Sequence, residues 1–408
     1  MPTIRVAIPA MDELDFLPAT LDALANQEID SPFEVYICVN QPESYWNNPT
    51  GKLVCEHNQQ LLEYLSHYDF LTLHVLDYSS PGKGWPKGKS GVGYARRVLF
   101  EQILSESDSN DIIVSLDADT FVSPDYLQSV AVNFLQHEEM TALAVPYYHN
   151  TDPADETATR AMLRYEIYMR NYAINLLKIN SPYGFTALGS AIVMRAKALR
   201  KIGNITPLQS GEDFYLVQKF CKMGGLRLFN SKCVYPACRY SDRVPFGTGP
   251  AMKLGAQGNW DSYPIFHHFL FEPIHEAYLH LEDLYKGNYN IEANLFLAFL
   301  QKDNKREDIW TNIRKNVSDF QHFIKAFHQK ADGLRILQFV RSQHAQYGLH
   351  DKNSLYDNFQ KWQPDHQFQW LTHSFSWRNY SLDQLDKLRN WMFSEENSLR
   401  KLYSDEMP

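Results

Sequence analysis

The sequence predicts an α/β protein: a mostly parallel sheet flanked by helices over residues 1–250, followed by an α-helical region over 251–408. Three observations carry that expectation. Short apolar runs alternate with helical patterns from Ile4 to about residue 120, the signature of βαβ units. One apolar run, Ile112 to Leu116, ends directly on a pair of acids. Beyond about residue 255 glycines become scarce, and long helical stretches rich in aromatics take over (Trp310, Trp362, Trp370, Trp377, Trp391), which places a boundary between 245 and 265.

The elements follow in order. Ile4-Arg5-Val6-Ala7-Ile8 reads as a strand stopped by Pro9. A helix should follow, with Pro18 in its first turn and Leu17, Leu21 and Leu24 on one face. Val35 to Val39 and Phe70 to Leu76 read as the second and third strands. Residues 79–91, SSPGKGWPKGKSG, form a Gly/Pro/Lys-rich loop before a helical stretch from Val92 to Leu104. After the strand Ile112 to Leu116, Ser123 and Pro124 supply an N-cap and a first-turn proline for a helix carrying Leu127, Val130 and Phe134. Residues 151–180 look helical, and Phe185 to Met194 returns to strand character. Gly211-Glu212-Asp213 opens a further helix, with Leu216, Val217 and Phe220 on its apolar face.

Bulk properties narrow the function. With 44% hydrophobic and 21% charged residues the chain has the balance of an ordinary globular protein. Its net charge of −9, without a long basic block, argues against nucleic acid as a partner. The opening MPTIRVAIPAMDE lacks the apolar core of a signal peptide. The purest apolar run, Leu295 to Leu300, is far short of the roughly 20 residues that span a bilayer, so no transmembrane segment is expected. Five cysteines, at 38, 55, 221, 233 and 238, form no CxxC pair and read as reduced thiols. The cytoplasm is the expected location, with a peripheral position at the inner membrane surface as a second reading.

The sharpest chemical feature is DIIVSLDADTFVSPDYL, residues 111–127. Ligands of open α/β sheets sit beyond the carboxyl ends of strands, and Asp117-Ala118-Asp119 stands at such an end. Two acids without a full protein cage suit Mn²⁺ or Mg²⁺, which prefers few carboxylates plus phosphate oxygens. The string by itself is equally what solvent-facing turn acids look like; the buried strand before it favours the metal–diphosphate reading. Upstream, Lys83, Lys87, Lys89, Arg96 and Arg97 surround several glycines. Backbone amides of such a turn and nearby cations suit phosphates, and Lys89 and Arg96 are the candidates for phosphate contact.

Six segments, in order, resemble family 2 glycosyltransferases of the GT-A fold, a Rossmann-like architecture. They are VAIPAMDELDFLPATLDAL, VYICVNQPES, GKSGVGYARRVLF, SLDADTFVSPDYL, FTALGSAIVMRAKALRKIGNI and GEDFYLVQKFCKMGG, spanning about residues 3–245. The resemblance implies a nucleotide-sugar-binding catalytic domain over 1–250. It implies donor contacts from Pro9, Asp12, Glu13 and Asn40, metal and donor binding by Asp117 and Asp119, and Asp213 as the base of an inverting transfer with Glu212 orienting the acceptor. Asp12 stands where the family usually has Asn, and Asn40 where an Asp that grips the base is common, so the base stays open.

In RYSDRVPFGTG, residues 239–249, Arg243 is a candidate phosphate contact, with Gly247 and Gly249 as hinges of a closing loop. A third metal ligand is sought at His267 or His268, whose alternative is a packing role. The C-terminal aromatics read as core, with a sugar-stacking groove as the alternative. The resulting expectation is a metal-dependent transferase moving sugar from a UDP- or GDP-sugar to a hydroxyl acceptor (glycan, lipid-linked or small molecule) in polysaccharide or glycoconjugate biosynthesis. The alternatives are a sugar-phosphate nucleotidyltransferase and a non-catalytic nucleotide-sugar-binding protein.

Overall fold

The computed structural model describes residues 2–152, 154–241, 247–302, 308–363, 368–374 and 376–406. The chain divides into two units, one of Met1–Met162, Thr186–Gly258 and Ser404–Pro408, the other of Leu163–Phe185 and Asn259–Tyr403.

In the first unit the apolar runs become strands β1 (Ile4–Ala10), β2 (Phe33–Asn40), β3 (Leu73–Tyr78), β4 (Ile112–Ser115), β5 (Thr120–Val122), β6 (Ala142–Ala144), β7 (Ile192–Arg195), β8 (Leu226–Arg227) and β9 (Val234–Pro236). Seven of them form one sheet in the order β3-β2-β1-β4-β7-β6-β8, while β5 and β9 pair as a separate ribbon. β3, β2, β1 and β4 run parallel, and β7 lies antiparallel to both β4 and β6. β1 and β4 are buried along their whole length, so they read as continuous apolar runs rather than alternating ones.

The first strand does not stop at Pro9 but runs to Ala10. Ile4 N donates towards β2, to Pro32 O at 2.9 Å, whereas Ala7 O accepts from Leu116 N on the β4 side at 3.0 Å. Backbone groups alternate sides along a strand, so the missing N–H of Pro9 faces β4. That ladder has already ended at Ala7–Ser115, and no bond is lost.

The helices of this unit are α1 (Leu17–Ala25), α2 (Lys52–Ser66), α3 (Val92–Glu106), α4 (Tyr126–Gln136), the start of α5 (Glu156–Lys178), α6 (Ala196–Lys201), α7 (Glu212–Met223) and α8 (Thr248–Ala256). Pro18 sits in the first turn of α1, and Leu17, Leu21 and Leu24 are buried as expected. Three expectations are corrected. The third strand begins at Leu73, and Phe70, 76% exposed, stays outside it. Helix α4 starts at Tyr126 with Asp125 as N-cap, so Ser123 and Pro124 do not open it. They close β5 instead: Ser123 Oγ donates to Asp125 Oδ1 at 2.8 Å, and Pro124 O accepts from Glu28 N at 2.7 Å. Of the run from Phe185 to Met194, only the end from Ile192 is strand; Ala191 N donates to Leu188 O at 2.9 Å in a turn before it.

The second unit is helical, built from α5 beyond Leu163 and from α9 (Glu272–Leu279), α10 (Leu281–Lys286), α11 (Leu295–Lys302), α12 (Ile309–Asn316), α13 (Phe320–Lys330), α14 (Gly333–Gln346), α15 (Asp351–Trp362) and α16 (Leu382–Asp405). Leu163, Ile167, Leu355, Phe359, Leu388 and Met392 belong to one core cluster, against which Trp362, Trp370, Trp377 and Trp391 pack. Trp310 is fully buried and stacks on Phe327 at 5.3 Å. These five tryptophans therefore serve the core. All five cysteines are free. Among the described residues, no helix is long and apolar enough to cross a membrane.

Candidate active site

The acids of the DAD segment sit in the turn that leaves β4, where Thr120 N donates to Asp117 O at 3.2 Å. Two arginines from different segments meet them. The first is Arg96, one turn into α3. Gly91 stands at the N-cap of that helix, with a φ of +116° that favours glycine. A Cβ on Gly93 would collide with the backbone of Leu208, so the glycine lets α3 approach the stretch that leads into α7. Arg96 is 3% exposed. Its Nη2 donates to Asp117 Oδ1 and its Nη1 to Glu212 Oε1. A Cβ built on Gly189 would fall on the guanidinium itself. Burial works against the Arg96 charge, but Asp117, Glu212 and Asp213 more than offset it and hold the group protonated.

Glu212 and Asp213 open α7 behind Gly211, which has φ +77°. Glu212 is buried. Asp213 is half-buried, and Phe214 N donates to its Oδ1 at 2.7 Å. Desolvation, then the charges of Glu212 and Asp117, raise the Asp213 carboxyl to about 7; Arg96 and the Phe214 amide pull the other way.

The second arginine arrives through the β5–β9 ribbon. The register Thr120–Pro236 continues as Ala237 N donating to Asp119 O at 3.1 Å, which carries Arg239 beside the acids. Arg239 Nε donates to Asp119 Oδ2 at 2.6 Å, and its Nη2 to Glu13 Oε1 and Oε2 at 2.6 and 2.8 Å. The guanidinium lies 4.1 Å from the centre of the Phe16 ring. Glu13 is itself buried, in the turn after β1. Salt bridges thus join Glu13, Arg239 and Asp119 in one group, and salt bridges and charge coupling join Asp117, Arg96, Glu212 and Asp213 in a second; Asp117 and Asp119 are two residues apart in the chain.

Six of the residues singled out from the sequence meet in this arrangement: Glu13, Arg96, Asp117, Asp119, Glu212 and Asp213. The others are placed differently. Pro9 is buried in β1. Asp12, with φ +59°, accepts from His57 Nδ1 at 2.7 Å, and its N donates to Asn58 Oδ1 at 3.0 Å. Asn40 uses both ends of its amide within the protein, donating to Ala10 O at 2.9 Å and accepting from Trp85 Nε1 at 3.1 Å. Lys89 is exposed in the 79–91 loop. Arg243 lies outside the described residues. In the second unit, His267 Nδ1 accepts from Phe269 N at 3.2 Å and its Nε2 lies 3.2 Å from Asp357 Oδ2, while His268 Nδ1 lies 3.2 Å from Asn358 Oδ1. Among the described residues no group of three or more His, Cys, Asp or Glu is arranged to hold a metal ion. Arg239 and Gly189 are the members of the site that sequence reasoning passed over. Arg239 stands four residues before Arg243 in the same loop string, and its place beside the acids follows from the strand pairing.

A family model described as "Glycosyltransferase like family 2" matches residues 2–229, more than half of the chain. Similar solved structures include S. aureus TarS 1-349 in complex with UDP-GlcNAc, at 13% identity and TM-score 0.42, covering 99% of this chain and 91% of that one. Mannosyltransferase PcManGT from Pyrobaculum calidifontis in complex with GDP-Man and Mn²⁺ aligns at 14% identity and TM-score 0.35, covering 96% and 87%. Glucosyl-3-phosphoglycerate synthase from Mycobacterium tuberculosis in complex with UDP aligns at 13% identity and TM-score 0.33, covering 63% and 81%. No curated protein matches the chain. With its family model matched over most of the sheet-bearing unit, the chain is a glycosyltransferase of family 2, with the GT-A fold.

Proposed function

We propose that this glycosyltransferase moves sugar from a UDP- or GDP-sugar to a hydroxyl acceptor with inversion, Asp213 taking the acceptor's proton. The supporting observation is the acid pair at the start of α7, joined through Arg96 to the acid pair at the end of β4. An inverting transfer needs a carboxylate that accepts the hydroxyl proton as that oxygen attacks the anomeric carbon. A carboxyl raised to about 7 is matched to that task near neutral pH. Glu212, buried and paired with Arg96, instead orients the acceptor.

The charge of the site suits a divalent cation. Among the described residues five carboxylates (Glu13, Asp117, Asp119, Glu212, Asp213) stand against two guanidiniums, Arg96 and Arg239. Asp117 and Asp119 would hold Mn²⁺ or Mg²⁺, completed by phosphate oxygens. When bound, the ion offsets charge on the leaving diphosphate.

Asp213→Asn should leave donor binding nearly intact and lower turnover by roughly 10²–10⁴-fold, the usual worth of a general base. Unchanged turnover removes Asp213 from the mechanism. A thermal-shift panel of UDP-, GDP- and dTDP-sugars with and without Mn²⁺ identifies the donor, because a ligand bound only by the folded chain raises its melting temperature.

A further inference from the structure

Arg239 is a cation already seated on acids that the proposed metal–diphosphate site uses. Three hydrogen bonds of 2.6–2.8 Å tie it to Asp119 and Glu13. Phe16 lies under the guanidinium, and the side chain is only 19% exposed. A guanidinium so enclosed is stable while it has anionic partners. Pulled off them and left over the ring, it would be a largely desolvated charge without a counter-ion. A divalent cation arriving alone on Asp119 meets this cation head-on. It is repelled by the guanidinium, and taking Asp119 Oδ2 removes one of the guanidinium's two carboxylate partners and leaves it to Glu13. A cation arriving with a nucleoside diphosphate meets a different balance, because phosphate oxygens accept from a guanidinium fork as well as carboxylates do.

We propose that Arg239 is a tethered counter-ion, which holds Asp119 and Glu13 in the donor-free enzyme and makes divalent-cation binding conditional on the nucleoside diphosphate. The inference rests on the reading of Asp117 and Asp119 as the metal–diphosphate site. It assigns Arg239 a positioning role: before the donor arrives it keeps two acids from different parts of the chain, Asp119 after β4 and Glu13 after β1, in one place. When the metal and diphosphate enter together, the guanidinium exchanges a carboxylate for a phosphate and stays paired throughout. Binding linkage is reciprocal, so the nucleotide also binds more tightly in the presence of the metal.

The test measures Mn²⁺ binding to the full chain by electron paramagnetic resonance, with and without UDP or GDP, in the wild type, Arg239→Gln, Arg239→Lys and the double variant Arg239→Gln/Asp119→Asn. Wild type should bind Mn²⁺ weakly alone and much more tightly with the correct nucleotide. Arg239→Gln should bind Mn²⁺ without nucleotide about tenfold or more tightly than wild type, the order expected for removing one nearby like charge. Adding Asp119→Asn should abolish that gain. Arg239→Lys, whose ammonium lacks the fork that spans two acids, should show a smaller gain of the same sign. Equal nucleotide-free Mn²⁺ affinity in wild type and Arg239→Gln overturns the proposal while leaving the metal reading intact. Should Arg239→Gln fail to fold, equal affinity in wild type and Arg239→Lys overturns it in the same way. No Mn²⁺ binding by any form, with or without nucleotide, defeats the metal reading and the proposal with it.

Discussion

Two arginines each bridge a pair of carboxylates in the first unit, and they are built to different ends. Arg96 is 3% exposed, stands on a helix, and joins Asp117 after β4 to Glu212 on α7, with Gly189 pressed against its guanidinium. Arg239 has a side chain 19% exposed, lies beyond the short ribbon strand β9, and joins Asp119 to Glu13 over the ring of Phe16. The first bridge is enclosed by three elements and has nowhere to go, so its ion pairs hold those elements together. The second borders solvent, and its partners are ones that phosphate oxygens can replace. Burial separates an arginine that builds a site from one that responds to a ligand.

The largest expected effect tests that distinction directly. Arg96→Met leaves Asp117 and the buried Glu212 without their cation, and breaking a buried pair on one side is worth about 3–5 kcal/mol. Arg239→Gln keeps a hydrogen-bonding side chain at a partly solvated position and should lose about 1–2 kcal/mol. Urea unfolding of the two variants checks the order, and equal losses would erase the difference between the bridges.

A smaller effect sharpens the same point from the other side. Gly189→Ala adds one methyl group where the Arg96 guanidinium lies. The arginine must move, with an overpacking penalty of about 1–3 kcal/mol. Because Arg96 also orients Glu212, turnover should fall as well. Calorimetry and initial rates on one purified variant read both.

What was legible in the sequence followed from local rules. Strands β1, β2 and β4 announce themselves because burial on both faces leaves unbroken apolar runs. Asp117, Asp119, Glu212 and Asp213 stand out because acids directly after a buried strand, or at the start of a helix, are chemically loaded positions. Helix α2 escaped notice because its buried face mixes Asn58 and Cys55 with Leu61 and Leu65, which blurs the apolar period. The stretch before β7 looked like strand because Phe185, Leu188 and Ala191 are apolar, although Gly189 is there to make room for Arg96. Arg239 was illegible for a different reason. Its place beside Asp119 comes from the β5–β9 register, and pairing between segments more than a hundred residues apart leaves no mark on either one alone. The chemistry of the acids was local, and the cations that organise them were not.

The subtlest expected effect is on pH dependence, and it again sets the bridges apart. Asp213 is a carboxyl whose folded value, about 7, lies above its ordinary value of 3.8. Between the two the folded chain keeps a proton that the unfolded chain has released. The contribution of Asp213 to stability is therefore fully present below about pH 4 and is lost as the pH rises through about 7. Asp213→Asn should flatten that decline. In activity the sign reverses, because the base works ionised: kcat/KM should rise through about pH 7. Arg96 opposes the raised value from within the acid group, so a conservative Arg96→Lys change, with a poorer fit to Asp117 and Glu212, should move the midpoint upward. Arg239→Lys, acting on Asp119 and Glu13, should leave the midpoint where it is while changing Mn²⁺ affinity. A midpoint that moved equally in both variants would mean that the two bridges act as one electrostatic unit, and that burial had not divided their work.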